Sequence, residues 1–232
     1  MAIPLYLAKT SWEFRQSPEQ PDHLAWMACH FSPYGTGLTN LPATLPDNSL
    51  LILNDRTPVH GHDPKRIRDT VEEVIHQNNC FGILLDFQRP DCDETTKIVE
   101  ELLTLPCPVC VSDCYAKNWD CPVFLPPVPL NMTVEAYLAC WLGREVWLEV
   151  AAECASLTAT RTGCVHSSIP TAGNFPFRDQ ELLCHYRIDA TDESVQFILR
   201  RDKEDLNDLL IKAEERGVTK AVGLWQELKD YI

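Results

Sequence analysis

Eight short apolar runs recur along the chain, and they constrain its fold more than any other feature. They are Ile3–Leu7, Leu24–Phe31, Leu50–Asn54, Gly82–Phe87, Val109–Ser112, Val123–Leu125, Val146–Val150 and Ala221–Trp225. Runs that are apolar throughout are typical of parallel strands that helices bury on both faces. The pattern therefore predicts an α/β fold of the (β/α)8 barrel type, short or irregular because 232 residues is near the lower limit of that class. A doubly wound open sheet is the alternative.

Helix-like segments separate several of these runs, as a barrel requires. Asp63 followed by Pro64 is a good helix start, and the apolar side chains after it recur at helical spacing. Similar segments cover Asp91–Leu105 and Asn131–Leu142. The last predicted helix ends before Gly217, and a glycine commonly follows the end of a helix.

Two segments depart from this alternation of strands and helices. Ser156–Gln180 is long and poor in helix signals, and His185–Arg201 has the pattern of a β-hairpin inserted before the last helix. No internal repeat, low-complexity tract or linker divides the chain. We therefore expect one barrel domain over residues 1–232.

The charge balance argues against two classes of partner. The chain has 34 acidic and 20 basic residues and a formal net charge of -14, whereas nucleic acids and anionic membranes are bound by clustered Lys and Arg. We expect neither as a partner. The N-terminal stretch MAIPLYLAKT lacks the basic start and the long apolar run of a secretory signal, so the expected location is cytoplasmic.

The eleven cysteines are expected to stay reduced in such a location. Cys107 and Cys110 have the spacing of half a zinc site, but no second close pair completes it. The sequence therefore predicts no cofactor and no structural metal.

Polar and aromatic side chains follow the predicted strands at their C-terminal ends, where (β/α)8 barrels carry their chemistry. They are Asp55 and Arg56 after the third strand, Asp86, Gln88 and Arg89 after the fourth, Tyr115 after the fifth, and Trp225 and Glu227 after the last. Because these strand ends meet at one face of a barrel, the set predicts a binding cleft at its mouth.

The fourth run, FGILLDFQ over residues 81–88, ends in an acid and an amide. Side chains alternate along a strand, so Asp86 and Gln88 share one face with Leu84, and Phe87 lies on the other. If Phe87 faces the helices, the acid and the amide face the lumen. An ionised carboxylate there is costly unless it is hydrogen-bonded. Asp86 is therefore either a structural acceptor of backbone amides or a functional group.

The same run resembles the fourth-strand signature of family 18 glycoside hydrolases, the chitinase-like barrels. That signature reads Asp-x-x-Asp-x-Asp-x-Glu, and Phe81, Leu84, Asp86 and Gln88 stand at its four positions. The resemblance implies a barrel whose site lies around Asp86 and Gln88.

The C-terminal part is similar to the family as well. Tyr186–Asp230 contains a hairpin, a helix that ends at a glycine, and a strand with Trp225 where the family has a tryptophan under a sugar subsite. Two other family signatures are missing. Asp55 lies where the family has a Ser-x-Gly-Gly turn, and Leu125–Pro129 offers neither hydroxyl nor acid where it has Met-x-Tyr-Asp.

The replacement at the last signature position has a chemical consequence. In the family the Glu protonates the leaving oxygen while the substrate's acetamido group attacks, and Gln88 has the shape of Glu without its proton. General acid catalysis contributes about 10²–10⁴-fold. The resemblance therefore implies binding with weak or no turnover unless another acid serves. The acids considered as substitutes are Asp91, Glu149, Glu153 and Glu227.

The leading hypothesis is thus a degenerate glycoside-hydrolase-like barrel that binds a saccharide or a related polar ligand. The predicted binding residues are Asp86, Gln88 and Trp225 on the floor, Asp55, Arg56, Arg89 and Tyr115 on the walls, and Glu227 beside them.

Two other functions are left open. His60 and His62, with Asp86 and Asp113, have the ligand types of a divalent metal and hence of a metal-dependent hydrolase. Against this, Asp63 beside them is expected to cap a helix. The other possibility is a non-catalytic scaffold that binds a partner through the barrel surface.

Overall fold

The computed structural model describes residues 3–17, 20–89, 93–168 and 173–229. The strands, in chain order, are β1 (Leu5–Lys9), β2 (Leu24–Phe31), β3 (Leu38–Thr39), β4 (Leu50–Asn54), β5 (Gly82–Asp86), β6 (Val109–Ser112), β7 (Val123–Leu125), β8 (Val146–Val150), β9 (Cys154–Thr160), β10 (Gly163–Ser168), β11 (Phe177–Asp179), β12 (Cys184–Ala190), β13 (Ser194–Arg200) and β14 (Val218–Leu224). They form two separate sheets.

Eight of these strands close into a parallel barrel. The order around it is β1-β2-β4-β5-β6-β7-β8-β14, and β14 pairs with β1 to complete the ring. Each of the eight corresponds to one apolar run of the sequence, so the predicted barrel is confirmed over the open sheet. The short strand β3 pairs antiparallel with β2 outside the ring.

The helices around the barrel are uneven in length. They are α1 (Ser11–Gln16), α2 (Pro64–Gln77), α3 (Asp93–Leu102), α4 (Asp113–Ala116), α5 (Val134–Leu138) with a 3-10 helix at Ala139–Trp141, α6 (Lys203–Glu215) and α7 (Trp225–Leu228). The helix predicted over Asn131–Leu142 is therefore shorter than expected, and the start of the one predicted over Asp91–Leu105 lies outside the described residues. No helix in the described ranges is long and apolar enough to cross a membrane.

Local sequence signals set the ends of the two longest helices. The Asp63 carboxylate accepts the Lys65 backbone N–H at 3.1 Å, which satisfies a free donor at the start of α2. Asp202 caps α6 in the same way through a capping box. After α6, Gly217 adopts a φ of 93°, which glycine reaches without strain.

Strand alternation sorts the apolar side chains into two layers. The lumen contains one cluster, which includes Tyr6, Ile52, Leu84, Phe124 and Trp147. The opposite faces of the strands pack against the helices in a second, larger cluster. The lumen is thus filled by side chains up to the C-terminal ends of the strands, where polar residues begin.

The predicted hairpin is confirmed, but it belongs to a larger insertion than the sequence indicated. Strands β12 and β13 pair antiparallel within a five-stranded sheet of order β10-β9-β13-β12-β11. The helix-poor segment Ser156–Gln180 contributes three of these strands. They escaped prediction because small and polar residues such as Ser156, Thr158 and Thr160 replace the apolar runs of the barrel.

The two faces of this second sheet differ in character. Leu157, Phe197 and Ile188 are directly opposite one another across three strands, and Phe177 extends the same face. Leu157, Ile188 and Phe177 are exposed. On the other face, the Arg200 guanidinium stacks 4.6 Å from the ring centroid of Phe175. The sheet therefore presents an apolar face to solvent.

Ion pairs join the second sheet to α6. Asp205 is fully buried, and its carboxylate binds Arg178 Nε and His185 Nδ1, each at 2.8 Å. Burial alone would raise the pKa of Asp205, but the hydrogen bonds from Arg178 and His185 outweigh it, and the pKa lies below its ordinary value. Asp208 binds the same arginine at 2.7 Å from a more exposed position.

We expect Asp205→Asn to lower the free energy of unfolding at pH 7 by about 1.5–3 kcal/mol, because it removes charge-assisted hydrogen bonds from a buried position. Urea unfolding measures the change. The native pKa of Asp205 is lowered, so its stabilisation is present above the unfolded pKa of about 3.9 and is lost as the pH falls through the native pKa. The difference between variant and wild type should therefore shrink below about pH 4.

Asp208→Asn is the matched control, since it removes a more exposed partner of the same arginine and should cost under about 1 kcal/mol. Equal losses in the two variants would contradict the role given to Asp205.

Candidate functional site

The end of β5 places an acid and an amide on the lumen side of the barrel mouth. Phe87 is fully buried in the outer layer, while Leu84 belongs to the lumen cluster, so the expected alternation continues along this stretch. Asp86 lies opposite Asn54 of β4 in the parallel register. Asp86, Gln88 and Asn54 all line one cavity, which we call the mouth cavity.

Asp86 and Gln88, the acid–amide pair, are joined by a short hydrogen bond in which Gln88 Nε2 donates to Asp86 Oδ1 at 2.6 Å. Burial raises the pKa of Asp86, the bond from Gln88 lowers it, and the charge of Asp55 raises it; the net effect is a pKa above the ordinary value. The amide donor favours the ionised carboxylate. The pair can therefore hydrogen-bond a polar ligand, although Gln88 cannot give it a proton.

Asp55, predicted as a wall of the site, has a structural role behind it. Its side chain is buried, and its two carboxylate oxygens accept the backbone N–H groups of Gln88 at 3.0 Å and Arg89 at 2.8 Å. The sequence had left this structural role open for Asp86, but Asp55 performs it. By holding the backbone after β5, Asp55 fixes the position of Gln88.

The remaining predicted wall residues contact one another more than they contact the cavity. The Arg89 guanidinium donates to the Arg56 carbonyl at 2.5 Å, and both residues are exposed. Tyr115 is buried, packs edge-on against Phe87, and donates its hydroxyl proton to the Arg89 carbonyl at 2.6 Å. None of these three residues lines the mouth cavity. Their predicted part in ligand binding stays a prediction.

The mouth cavity has a volume of about 200 Å³. Its apolar lining comes from alternate residues of the strands, including Met27, Ile52, Leu84, Phe124 and Val222. Its polar lining consists of Asn54, the acid–amide pair and Glu149. Apolar walls with a few convergent polar groups are the usual composition of a small-molecule site.

Glu149 is the most perturbed acid of this cavity. It follows Trp147 on the lumen face of β8 and is opposite Val222 of β14. Burial raises the pKa of Glu149 to about 7, and the negative charges of Asp86, Glu227 and Glu153 contribute to the rise. No hydrogen bond from the described part of the chain counters these effects. Glu149 is therefore a carboxyl group that exchanges its proton near neutral pH.

A second opening, the side cleft, lies beyond the ends of β7 and β8. It has a volume of about 310 Å³, and its lining includes Glu153, Glu227 and Leu130. Arg201 is buried and pairs with Glu153 at 3.3 Å. Burial raises the pKa of Glu153, Arg201 lowers it, and Glu227 raises it, so the net pKa lies above the ordinary value. Glu153 and Glu227, two of the acids considered as substitutes, therefore line the same cleft.

Tyr137 of α5 was not among the predicted site residues, but it lies close to the mouth acids. Its hydroxyl donates to the Pro126 carbonyl at 2.8 Å, beyond the end of β7. Burial raises the pKa of Tyr137 to about 12, and the charges of Asp113, Glu149 and Glu153 add to the rise. The phenol therefore lies among the acids of the mouth.

Trp225 is not brought to the acid–amide pair. The Nζ of Lys9 lies 3.9 Å from its ring centroid, and the ring packs with Leu7 on the helix side of β1. Trp225 lines a separate cleft there, whereas its neighbour Leu224 lines the mouth cavity. The tryptophan stands at the expected end of β14, but the alternation of the strand turns it outward. The predicted aromatic floor is therefore not part of this cavity.

The histidines considered for a metal site have other partners. His60 is exposed and pairs with Glu94 at 2.9 Å. His62 is buried with Nε2 at 2.9 Å from the Ser32 carbonyl. Within the described ranges, the one group of three ligand-type side chains whose atoms lie within 4.8 Å of one another is His185, Asp202 and Asp205. Those three belong to the ion pairs at the start of α6. Among the residues that the structure describes, His60 and His62 are thus not assembled with the acids of the mouth into a ligand set.

Comparisons with known proteins agree with this architecture. No family model matches the chain, and no curated protein matches it significantly. Among solved structures, it is similar to the spore cortex-lytic enzyme SleL of Bacillus cereus, with 10% identity, a TM-score of 0.55, and coverage of 95% of this chain and 70% of that one. It is also similar to a chitinase from Chromobacterium violaceum, with 8% identity, a TM-score of 0.56, and coverage of 96% and 93%.

The chain therefore has the fold of the chitinase-like glycoside hydrolase barrels, as its strand signature indicated. At such low identity the likeness concerns the fold alone. What the mouth binds has to be argued from its own residues.

The sequence contained a signal for Glu149 that was used only in part. The run VWLEV alternates, so that Trp147 and Glu149 face the lumen whenever Leu148 faces the helices. The same argument located Asp86. Glu149 was considered as an acid, but its place in the mouth cavity follows from this alternation. Asp91, another acid considered, lies outside the described residues.

We expect the Glu149 carboxyl to titrate near pH 7, and Asp86→Asn to lower its pKa because the variant removes a nearby negative charge. Burial is the largest cause of the shift, so the pKa of Glu149 should stay above its ordinary value in the variant. Carbon-detected NMR of the side-chain carboxyl groups measures both. Asp69→Asn on the outer helix α2 is the control and should leave the titration unchanged. If the pKa of Glu149 is the same in Asp86→Asn as in wild type, the two carboxyl groups do not interact.

Proposed function

We propose that this protein binds a saccharide or a closely related polar ligand at the mouth of the barrel and hydrolyses it weakly or not at all. The observation that carries the proposal is the acid–amide pair at the edge of the mouth cavity. In this class of barrel, the C-terminal face is the place of chemistry. An ionised carboxylate and a carboxamide offer the acceptors and donors that sugar hydroxyl groups need.

The shape of the mouth is consistent with a ligand of more than one small unit. Its cavity of about 200 Å³ is smaller than the roughly 300–1,000 Å³ of drug-sized ligand sites and suits one unit. The side cleft of about 310 Å³ offers room for the next unit. Both contain carboxylates, so a neutral or cationic polyhydroxylated ligand is favoured over an anionic one.

Weak turnover follows from Gln88. Its amide has no acidic proton, and its Nε2 is already engaged with Asp86 at 2.6 Å. A ligand oxygen at this position would be hydrogen-bonded without being protonated. The family's route is thereby blocked at the step that breaks the glycosidic bond.

The scaffold alternative has one observation in its favour, the exposed apolar face of the second sheet with Leu157, Phe177 and Ile188. Apolar exposure of this kind is common at contact surfaces. The face carries no indication of its partner, and the saccharide proposal does not depend on it.

The first test is binding, measured by calorimetry with oligomers of N-acetylglucosamine. Wild type should bind, and Asp86→Ala should weaken binding at least about tenfold because it removes a charged hydrogen-bond acceptor from the cavity. Asp69→Ala makes the same substitution on the outer helix α2 and should bind as wild type does. Absence of binding by wild type across neutral and amino-sugar oligomers would overturn the proposal.

The second test restores the missing acid. Gln88→Glu should raise hydrolysis of a bound oligomer by about 10²–10⁴-fold, because the neighbouring Asp86 carboxylate favours the protonated, donor form of the new acid. Chromatography of the products measures the rate, and Gln88→Asn is the control, a shorter amide without a proton. If Gln88→Glu binds the oligomer and hydrolyses it no faster than wild type, Gln88 does not occupy the position of the proton donor.

A further inference from the structure

We propose that Glu149 is the proton donor of the hydrolysis, so that the catalytic acid of this barrel lies at the end of β8 and not at the end of β5. The inference rests on the proposed function, since it requires a saccharide at the mouth. It attributes the weak hydrolysis of the proposed function to the Glu149 carboxyl group.

The first argument is position. Glu149 lines the mouth cavity together with the acid–amide pair. Residues 151–155, which begin two positions after Glu149, line the side cleft. Glu149 is therefore the residue of the mouth cavity that lies nearest in the chain to the side cleft. The proposal places the glycosidic oxygen of a ligand in the mouth cavity next to this carboxyl group.

The second argument is the set of charged groups that face Glu149 from the surrounding elements. Asp86 approaches from β5, Glu227 from α7, and Glu153 from the segment after β8, and the charge of each acts on Glu149. The Tyr137 phenol of α5 lies among the same acids. Arg201 is a positive charge near these acids, and it is bound to Glu153.

Such surroundings keep a proton on a carboxyl group. With a pKa of about 7, Glu149 is about half protonated at neutral pH. An acid of this strength is suited to give a proton at neutral pH and to regain it from solvent.

The other acids of the mouth are less suited to the step. Asp86 accepts a hydrogen bond from the Gln88 amide, which favours its ionised form. Glu153 is paired with Arg201. Glu227 is exposed at the rim of the side cleft. By elimination, Glu149 is the described mouth acid that combines a place in the cavity with freedom from a donor or cation.

The step balances without a cofactor. The Glu149 proton passes to the glycosidic oxygen, and the bond from that oxygen to the anomeric carbon breaks with its electron pair left on the oxygen. The oxygen of a water molecule forms the new bond to the anomeric carbon, and the water loses a proton to solvent. Solvent then returns a proton to the Glu149 carboxylate.

The experiment compares the full chain as wild type and as Glu149→Gln, with tetramers of N-acetylglucosamine as the probe. Glu149→Gln keeps the shape and removes a partly buried charge, so the variant should fold, which circular dichroism checks. Wild type should hydrolyse slowly, with a rate that falls as the pH rises through 7 and Glu149 ionises. Glu149→Gln should lower kcat about 10²-fold or more while the calorimetric Kd changes little.

Two further variants sharpen the result. Glu100→Gln is the matched control, the same substitution at an exposed position of α3, and should behave as wild type. When Glu149→Gln is combined with Gln88→Glu, hydrolysis should be as fast as in Gln88→Glu alone, because the proton donor then lies at the end of β5.

The outcomes separate this inference from the proposed function. Binding by wild type without detectable hydrolysis, or equal kcat in wild type and Glu149→Gln, overturns the role of Glu149 and leaves saccharide binding intact. Absence of binding by wild type overturns both.

Discussion

Closure of the barrel is the constraint on which the rest of the structure depends. β1 pairs with β14 on one side and with β2 on the other, which joins the two ends of the sheet. In a closed parallel ring, every second side chain of each strand must face a shared lumen. Asp86 and Glu149 are 63 positions apart in the sequence, yet closure gives them a common cavity. In an open sheet, the ends of β5 and β8 would be free to diverge.

The sequence predicted those parts of the fold that depend on local pattern. Each barrel strand was found because continuous apolar runs mark strands buried on both faces. The second sheet was found only as the hairpin of β12 and β13. Strands β9–β11 are short or polar, and their pairing depends on distant partners that no local window contains. Trp225 shows a limit at the site as well. Its place at the end of β14 was predictable, but the face of the strand to which its ring belongs was not, because Ala221–Trp225 has no polar residue that distinguishes the two faces.

Two aspartates have different roles at the mouth. Asp55 holds the backbone after β5 in place, and Asp86 lines the cavity. Asp55 is buried and uses both carboxylate oxygens on the backbone after β5. That rigid turn holds Gln88 against Asp86. Asp86 is thereby held by the Gln88 side chain while it lines the mouth cavity. Supporting contacts of this kind pre-organise a binding site.

Two glutamates of the same strand region have pKa values that are shifted in opposite directions. Glu145, just before β8 at the base, accepts hydrogen bonds from Trp147, Thr219 and Lys220. Burial acts to raise the pKa of Glu145, but these bonds outweigh it and the pKa is lowered. Glu149, four positions later and on the same side of the strand, has only burial and like charges, and its pKa rises to about 7. Hydrogen bonds stabilise the ionised form of Glu145 at the base of the lumen, whereas Glu149 at the mouth has no such bond from the described residues. A partly buried acid with like charges around it costs stability, and acids with such raised pKa values are found more often at functional sites than elsewhere.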